Sequence, residues 1–229
     1  FAVFPPTVHL NTTRDHQTLV GQIEFANGLT SDVTREMTIE VTPAELVQIE
    51  GNRLRPKQDG DGQITVRHGD QSVVIPLVVR QSTETLPLSF RLDVMPVFMR
   101  SGCNTGSCHG AARGKDGFNL SLFGFDPAGD YHRLMREQLG RRVDLAFPER
   151  SLLLEKAVGS VSHSGGSLFK NDSRYYQTLL EWLQNGAPDD PGAVPQVVSV
   201  ELYPEGGVLN GPDTTQQLTV VANYSDGST

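Results

Sequence analysis

The sequence predicts a multidomain chain: an all-β sandwich over residues 1–89, a mainly α domain over 90–190, and the opening strands of a second β sandwich over 191–229. Three observations carry that reading. Short apolar alternations of period two recur between turn signals up to about residue 82. From Val94 onward the apolar spacing changes to the three-and-four pattern of a helix. Finally, a strand and turn of the first part return at the C-terminal end.

Within the first part, Leu19, Ile23 and Phe25 form one run that ends at the turn pair Asn27-Gly28. Met37, Ile39 and Val41 alternate with Thr38, Glu40 and Thr42, which suits a strand with one buried face. After the turn Asp59-Gly60-Asp61-Gly62, Ile64 and Val66 alternate with Thr65 and Arg67. A second turn, His68-Gly69-Asp70-Gln71, leads into an apolar strand from Ser72 to Val79. Pro76 inside that strand predicts a sheet edge or a bulge, because proline has no N–H to give to a ladder. Six or seven short strands in this span point to a sandwich.

Gln22-Ile23-Glu24-Phe25-Ala26-Asn27-Gly28-Leu29-Thr30 aligns with Val221-Ala222-Asn223-Tyr224-Ser225-Asp226-Gly227-Ser228-Thr229. The aromatic, the turn glycine and the threonine coincide. Upstream, Val198 to Leu202 and Gln217 to Val221 read as strands, so the end of the chain is expected to be a second copy that holds only its first strands. These segments, with Thr30-Ser31-Asp32-Val33-Thr34, resemble the bacterial immunoglobulin-like group 2 family, which implies that both β parts are Ig-like.

Between them, Met95 to Arg100 reads as a short helix. A second helix opens at Asp126-Pro127, since proline is tolerated in a first turn. Tyr131, Leu134, Met135 and Leu139 mark its apolar face, and Gly140 ends it. A third opens at Phe147-Pro148-Glu149 and runs through Leu152, Leu153 and Lys156 to Gly159. A fourth follows the N-cap residues Asp172-Ser173, carries Tyr176, Leu179, Leu180 and Leu183 on one face, and closes at Asn185-Gly186. Pro188 to Gly192 reads as an exit linker.

The chain has two cysteines, in Cys103-Asn104-Thr105-Gly106-Ser107-Cys108-His109. Two thiols and an adjacent imidazole are what covalent attachment of a c-type haem requires. Each sulfur adds to a vinyl group, and the tethered histidine is held against the iron. The usual motif has two residues between the cysteines; here there are four, small, polar and including a glycine, able to bulge outward. A disulfide loop and a partial zinc site are the competing readings. Neither accounts for His109 next to Cys108.

The middle of the chain also resembles the c-type cytochrome domain of large planctomycete multidomain proteins. The residues that carry the likeness are Gly102-Cys103-Asn104, Cys108-His109-Gly110-Ala111, Gly114-Lys115-Asp116-Gly117-Phe118, Gly140-Arg141-Arg142-Val143, His163-Ser164-Gly165-Gly166, and Trp182 with Asn185-Gly186-Ala187-Pro188. The resemblance implies a cytochrome c-like domain with one haem c per chain, Cys103 and Cys108 as its thioether anchors and His109 as the proximal iron ligand.

For the opposite face of the iron the sequence offers Met95, Met99, His132, Met135 and His163. His163 is favoured. It follows the third helix and precedes the fourth, and Gly165-Gly166 let backbone pass close to a flat group. Met95 and Met135 fit core spacing, Met99 is the weaker methionine alternative, and His132 sits on a helix beside Tyr131. His9, His16 and His68 are ordinary polar residues of the β part. Arg113 and Lys115, with Arg141 and Arg142, are cations for the haem propionates. Trp182 is expected in the core, and Phe118, Phe123 and Phe125 as pocket walls.

With a net charge of −8, the chain is a poor partner for nucleic acid. No apolar run approaches the ~20 residues of a membrane span. Residues 1–6 lack the basic start and apolar core of a secretory leader. Covalent haem needs export, so a periplasmic or cell-surface protein is expected, its leader lying outside this sequence. The leading function is single-electron transfer to a redox partner protein by a bis-His haem, rather than enzymatic catalysis. A small-ligand or peroxide enzyme or sensor, and an Ig-like interaction module with a structural haem, are the alternatives. No hydrolase constellation is present. Strands left without a full sheet at the C-terminal end point to pairing in a homodimer.

Overall fold

The computed structural model describes residues 1–138 and 140–229; Leu139, assigned above to a helix face, lies outside the described residues. The chain divides into two compact units, Phe1–Leu86 with Pro195–Thr229, and Pro87–Val194.

The first unit is built from small sheets. Strands β1 (Ala2–Phe4), β4 (Val20–Glu24) and β5 (Thr30–Asp32) form one, in the order β1-β4-β5. Strands β2 (Val8–Asn11), β6 (Thr38–Thr42), β9 (Gly60–His68) and β10 (Gln71–Arg80) form the largest, in the order β2-β10-β9-β6. A third joins β3 (Gln17–Thr18), β7 (Val47–Glu50) and β8 (Arg53–Pro56). Alternation decides which side chains are inside: Ile64 and Val66 of β9, and Ile75, Leu77 and Val79 of β10, are buried against Leu10 and Leu54. Pro76 sits in a strand with neighbours on both sides, but β2 pairs with β10 only from Leu77 onward. At Pro76 the sheet is therefore an edge on that side, and no ladder bond is lost.

The predicted repeat returns in the hydrogen bonding. Phe25 N–H donates to Leu29 O (2.9 Å) and Gly28 N–H to Phe25 O (2.8 Å); Tyr224 N–H donates to Ser228 O (2.9 Å) and Gly227 N–H to Tyr224 O (3.0 Å). Among the described residues, the C-terminal strands β11 (Val197–Tyr203) and β12 (Thr219–Tyr224) pair only with each other. They cluster with the first compact unit. Thr30 N–H donates to Val208 O (2.8 Å) and Gln217 N–H to the Asp32 carboxylate (2.6 Å), which fastens them within the first unit.

The second unit holds four short helices: α1 (Met95–Arg100), α2 (Pro127–Met135), α3 (Leu152–Val158) and α4 (Arg174–Gln184). Some predicted boundaries hold and two do not: α2 ends at Met135, short of the expected stop at Gly140, and α3 begins at Leu152, after a separate short turn at Pro148–Arg150 where it was expected to open. Asp126 accepts from Gly129 N–H, Ser173 accepts from Tyr176 N–H, and Gly159 ends α3 in the left-handed region. Two features were not foreseen. Residues Phe90–Val94 form a wide helical turn running straight into α1. The presumed exit linker is fastened, because Asp190 accepts from Phe90 N–H (3.1 Å) and Arg91 N–H (3.0 Å). Phe90, Phe98, Trp182 and Tyr131 form an aromatic core, with Phe90 5.5 Å from Trp182 and 5.2 Å from Tyr131 between ring centres. Trp182 donates its indole N–H to Pro188 O.

The predicted fold class needs correction. The chain is mostly β, 28% strand against 21% helix, in several small sheets, and a mainly α cytochrome c-like domain between two Ig-like parts is not seen. The physical reason lies in the punctuation of the middle segment. The helices stop after 6, 9, 7 and 11 residues, three of them within two residues of a glycine at Gly102, Gly159 or Gly186, and hydrogen-bonded loops fill the rest. Helical periodicity identified each helix without measuring how little of the segment they occupy.

Candidate functional site

Helix α1 ends in a Schellman arrangement. Gly102, at φ +75°, donates its N–H to Met99 O, and Cys103 N–H reaches back to Phe98 O at 2.9 Å. That geometry turns Cys103 inward against the core beside Phe98. The next residues fold into a tight loop. Thr105 O accepts from Cys108 N–H and Gly110 N–H, each at 3.0 Å, and His109 N–H donates to Cys103 O at 2.9 Å. The extra spacer residues bulge outward, with Gly106 and Ser107 exposed, while the ends of the motif are closed on each other. Gly110 is required here, since a Cβ would lie 2.2 Å from Asn104 O.

His109 is oriented by the hairpin that follows. Lys115 N–H donates to Phe118 O, and His109 Nδ1 lies 3.1 Å from the same carbonyl. His163 stands on the loop after α3, its Nδ1 2.9 Å from Gly166 O. A carbonyl only accepts, so Nδ1 carries the proton in both rings and each Nε2 keeps its lone pair. Gly165 passes close over the His163 ring, where a Cβ would come within 2.9 Å. The two rings lie 6.4 Å apart between centres, and their planes differ by 9°. Burial is the main cause that lowers the His109 pKa, and the charge of His163 acts in the same direction.

Both histidines line one cleft. Its enclosed interior holds about 100 Å³ and, with the part open to solvent, the space between its walls is about 890 Å³. The walls are mainly apolar, from Phe98, Phe118, Leu120, Leu153, Phe169 and Leu179, with Lys115, Arg141, Arg142 and Lys156 as the cations. Arg142 is buried and committed: it donates to Arg133 O, Glu137 O and Gly117 O and stacks 4.4 Å over the Phe118 ring. Lys156 donates to Ser162 O, next to His163. The floor is braced by buried Asp130, which accepts from Ser121 N–H and Oγ–H and from Arg133.

Of the residues predicted for the site, Cys103, His109, Lys115 and His163 come together in this cleft. Cys108 is half-buried on the loop outside the cleft lining, and Arg113 is exposed away from it. Among the other distal candidates, Met95 is core, His132 and Met99 are exposed, and Met135 packs on the core edge. Phe118 is a wall, but Phe123 and Phe125 are 64% and 81% exposed and are not. Sequence reasoning missed the Phe118 and Gly166 carbonyls that set the tautomers, because a backbone acceptor leaves no mark on residue identity. Lys156 was seen only as part of a helix; its contact with Ser162 needs the loop closed.

Cys103 and the two imidazoles of the lining suit a flat iron porphyrin, whereas Cys108, the second thiol, lies outside that lining. Two imidazole nitrogens each about 2 Å from one metal ion place the ring centres roughly 6 Å apart. The apolar walls suit a macrocycle, and the remaining cations suit carboxylates. Both cysteines are free thiols. Among the described residues, no three of His, Cys, Asp or Glu gather to hold a metal ion on their own, as the zinc reading requires. No protein-family model matches the chain, and no curated protein is significantly similar to it. No helix is long and apolar enough to cross a membrane among the described residues.

Proposed function

We propose that this protein binds one haem c and transfers single electrons, with Cys103 and Cys108 as covalent anchors and His109 and His163 as axial ligands. The observation that carries the reading is the pair of imidazoles lining one cleft, nearly parallel and 6.4 Å apart between ring centres, each held by a backbone carbonyl at Nδ1. Such a carbonyl fixes the ring and raises its basicity at the other nitrogen. When bound, haem c supplies a one-electron Fe(III)/Fe(II) couple whose potential is set by axial ligands and burial.

The chain's own residues do the rest. His109 and His163 would both ligate the iron, so the group would serve electron transfer rather than substrate binding. Two imidazoles favour the ferric state relative to a His/Met pair. Phe98, Phe118, Leu120 and Leu179 keep water from the cleft, which limits reorganisation of solvent on a change of charge. Covalent haem also implies an exported protein, periplasmic or on the cell surface, that meets a redox partner protein there.

An alkaline pyridine spectrum of the reduced protein tests the cofactor: a single α band that survives acid-acetone extraction is expected. His163→Ala is expected to convert a low-spin ferric spectrum to a high-spin or water-ligated one, and the reduced variant to bind carbon monoxide rapidly while the parent binds it slowly. A colourless protein, or an unchanged spectrum in the variant, refutes the respective assignment.

A further inference from the structure

We infer that Asn210-Gly211 is a site of spontaneous deamidation, a modification that marks the age of the chain and loosens the tether between the loop after β11 and strand β5. An asparagine side chain loses ammonia when the backbone nitrogen of the next residue attacks it. Glycine in that place obstructs the attack least, having no Cβ. The chain has three Asn-Gly pairs, beginning at Asn27, Asn185 and Asn210, and residue identity ranks them equally. Their settings do not. In the turn after β4, Gly28 N–H donates to Phe25 O (2.8 Å) and Asn27 Oδ1 accepts from Leu29 N–H (3.1 Å), so nucleophile and electrophile are both held. After α4, Gly186 N–H donates to Leu183 O (3.0 Å), which ties that nitrogen to the helix end. Asn210 and Gly211, between β11 and β12, are both exposed, and among the described residues neither the Asn210 side chain nor the Gly211 N–H has a hydrogen-bond partner.

The reaction needs only water. The Gly211 nitrogen bonds to Asn210 Cγ, the Cγ–Nδ2 bond breaks, and ammonia leaves with the proton that Gly211 N–H gives up. Water then opens the cyclic imide. Attack at the side-chain carbonyl leaves aspartate; attack at the main-chain carbonyl leaves isoaspartate, with one extra carbon in the backbone. That insertion falls two residues after Val208, whose N–H donates to Thr30 Oγ1 (2.9 Å) and whose carbonyl accepts from Thr30 N–H (2.8 Å). On the other side, Gly211 O accepts from Thr214 Oγ1 (2.8 Å). A backbone lengthened between two such anchors strains one of them. Either product also adds negative charge to residues 191–229, which hold Glu201, Glu205, Asp213 and Asp226 and no Lys or Arg.

The test incubates the full chain in warm, mildly alkaline buffer, folded and in urea. Peptide mass spectrometry after cleavage at glutamate follows the amide-to-acid mass gain at each pair, with fragmentation to place it. In the folded chain Asn210 is expected to react about tenfold faster than Asn27 or Asn185, whose hydrogen bonds must first open. In urea the three rates should converge. Asn210→Gln, whose longer side chain closes a less favourable ring, should abolish the fast loss and leave the other two rates unchanged. Amide hydrogen exchange at Thr30 should be about threefold faster in the aged parent than in the fresh one, and unchanged in the aged variant. Equal rates at the three pairs in the folded chain, or a ranking that persists in urea, overturns the assignment of the site. Loss of ammonia at Asn210 with Thr30 exchange unmoved overturns the loosening of the tether.

Discussion

At the residue scale, the two cysteines of the loop differ in a way their sequence does not distinguish. Burial pushes the Cys103 thiol up to about 12 from an ordinary 9.0, with the neighbouring Cys108 adding to the shift. The unfolded chain loses this proton near 9 and the folded chain does not. The stabilisation from keeping Cys103 neutral is therefore complete below about pH 9 and is lost as pH rises toward 12. In the haem-free chain, iodoacetamide should modify Cys103 slowly at neutral pH, with a rate that keeps climbing across that window. Peptide mass spectrometry checks it, and a rate that levels off near pH 9 counts against the buried placement. His109 and His163 show the same separation of identity from setting. Their side chains are legible in the sequence, but the Nδ1 acceptors that aim them are main-chain atoms of Phe118 and Gly166.

At the scale of elements, capping residues account for where two helices start and two stop. Asp126 and Ser173 accept from the first turns of α2 and α4, and Gly102 and Gly159 terminate α1 and α3. These positions were readable because caps depend on local chemistry alone. What joins the elements was not readable. Buried Asp130 ties α2 to Ser121, in the segment that follows the His109 hairpin. Asp130→Ala leaves Ser121 N–H without its acceptor and Arg133 with Asp126 as its remaining carboxylate, at a cost of about 2–3 kcal/mol. Urea denaturation should show that loss as a lower midpoint, and an unchanged midpoint would mean the bracing is redundant. Asp130 was passed over in the sequence because it looks like an ordinary first-turn acid, favourable at a helix N-terminus whether buried or not.

At the scale of the whole molecule, each compact unit closes with residues distant in sequence. Asp190 caps the turn at Phe90 in one, and Gln217 meets Asp32 in the other. Within the β unit, the hairpin of β11 and β12 leaves Val198, Val200 and Val220 exposed on adjoining strands. A two-stranded sheet with an uncovered apolar face is a surface that associates. We propose a homodimer through this hairpin. Light scattering should give a mass that rises with concentration, and Val198→Lys with Val200→Lys should hold the chain at the monomer mass. A parent that stays monomeric at all concentrations refutes the association.

The sequence by itself determined the local features: the alternating strands, the existence of four helices with the N-caps Asp126 and Ser173 and the stop at Gly159, the repeated aromatic–glycine turn, and the thiol–thiol–imidazole motif with His163 beyond it. Each depends on residues within one or two turns of one another, so pattern and chemistry suffice. Only the tertiary structure decided the architecture and the site. It showed that the helices are too short to make the middle unit mainly α, and that the C-terminal strands belong with the first β part. It separated Lys115 and Arg141 from Arg113 and the already committed Arg142, and brought two nearly parallel imidazoles into one cleft. Those outcomes depend on which distant backbone groups satisfy one another, and a sequence names side chains without saying which carbonyls they will meet.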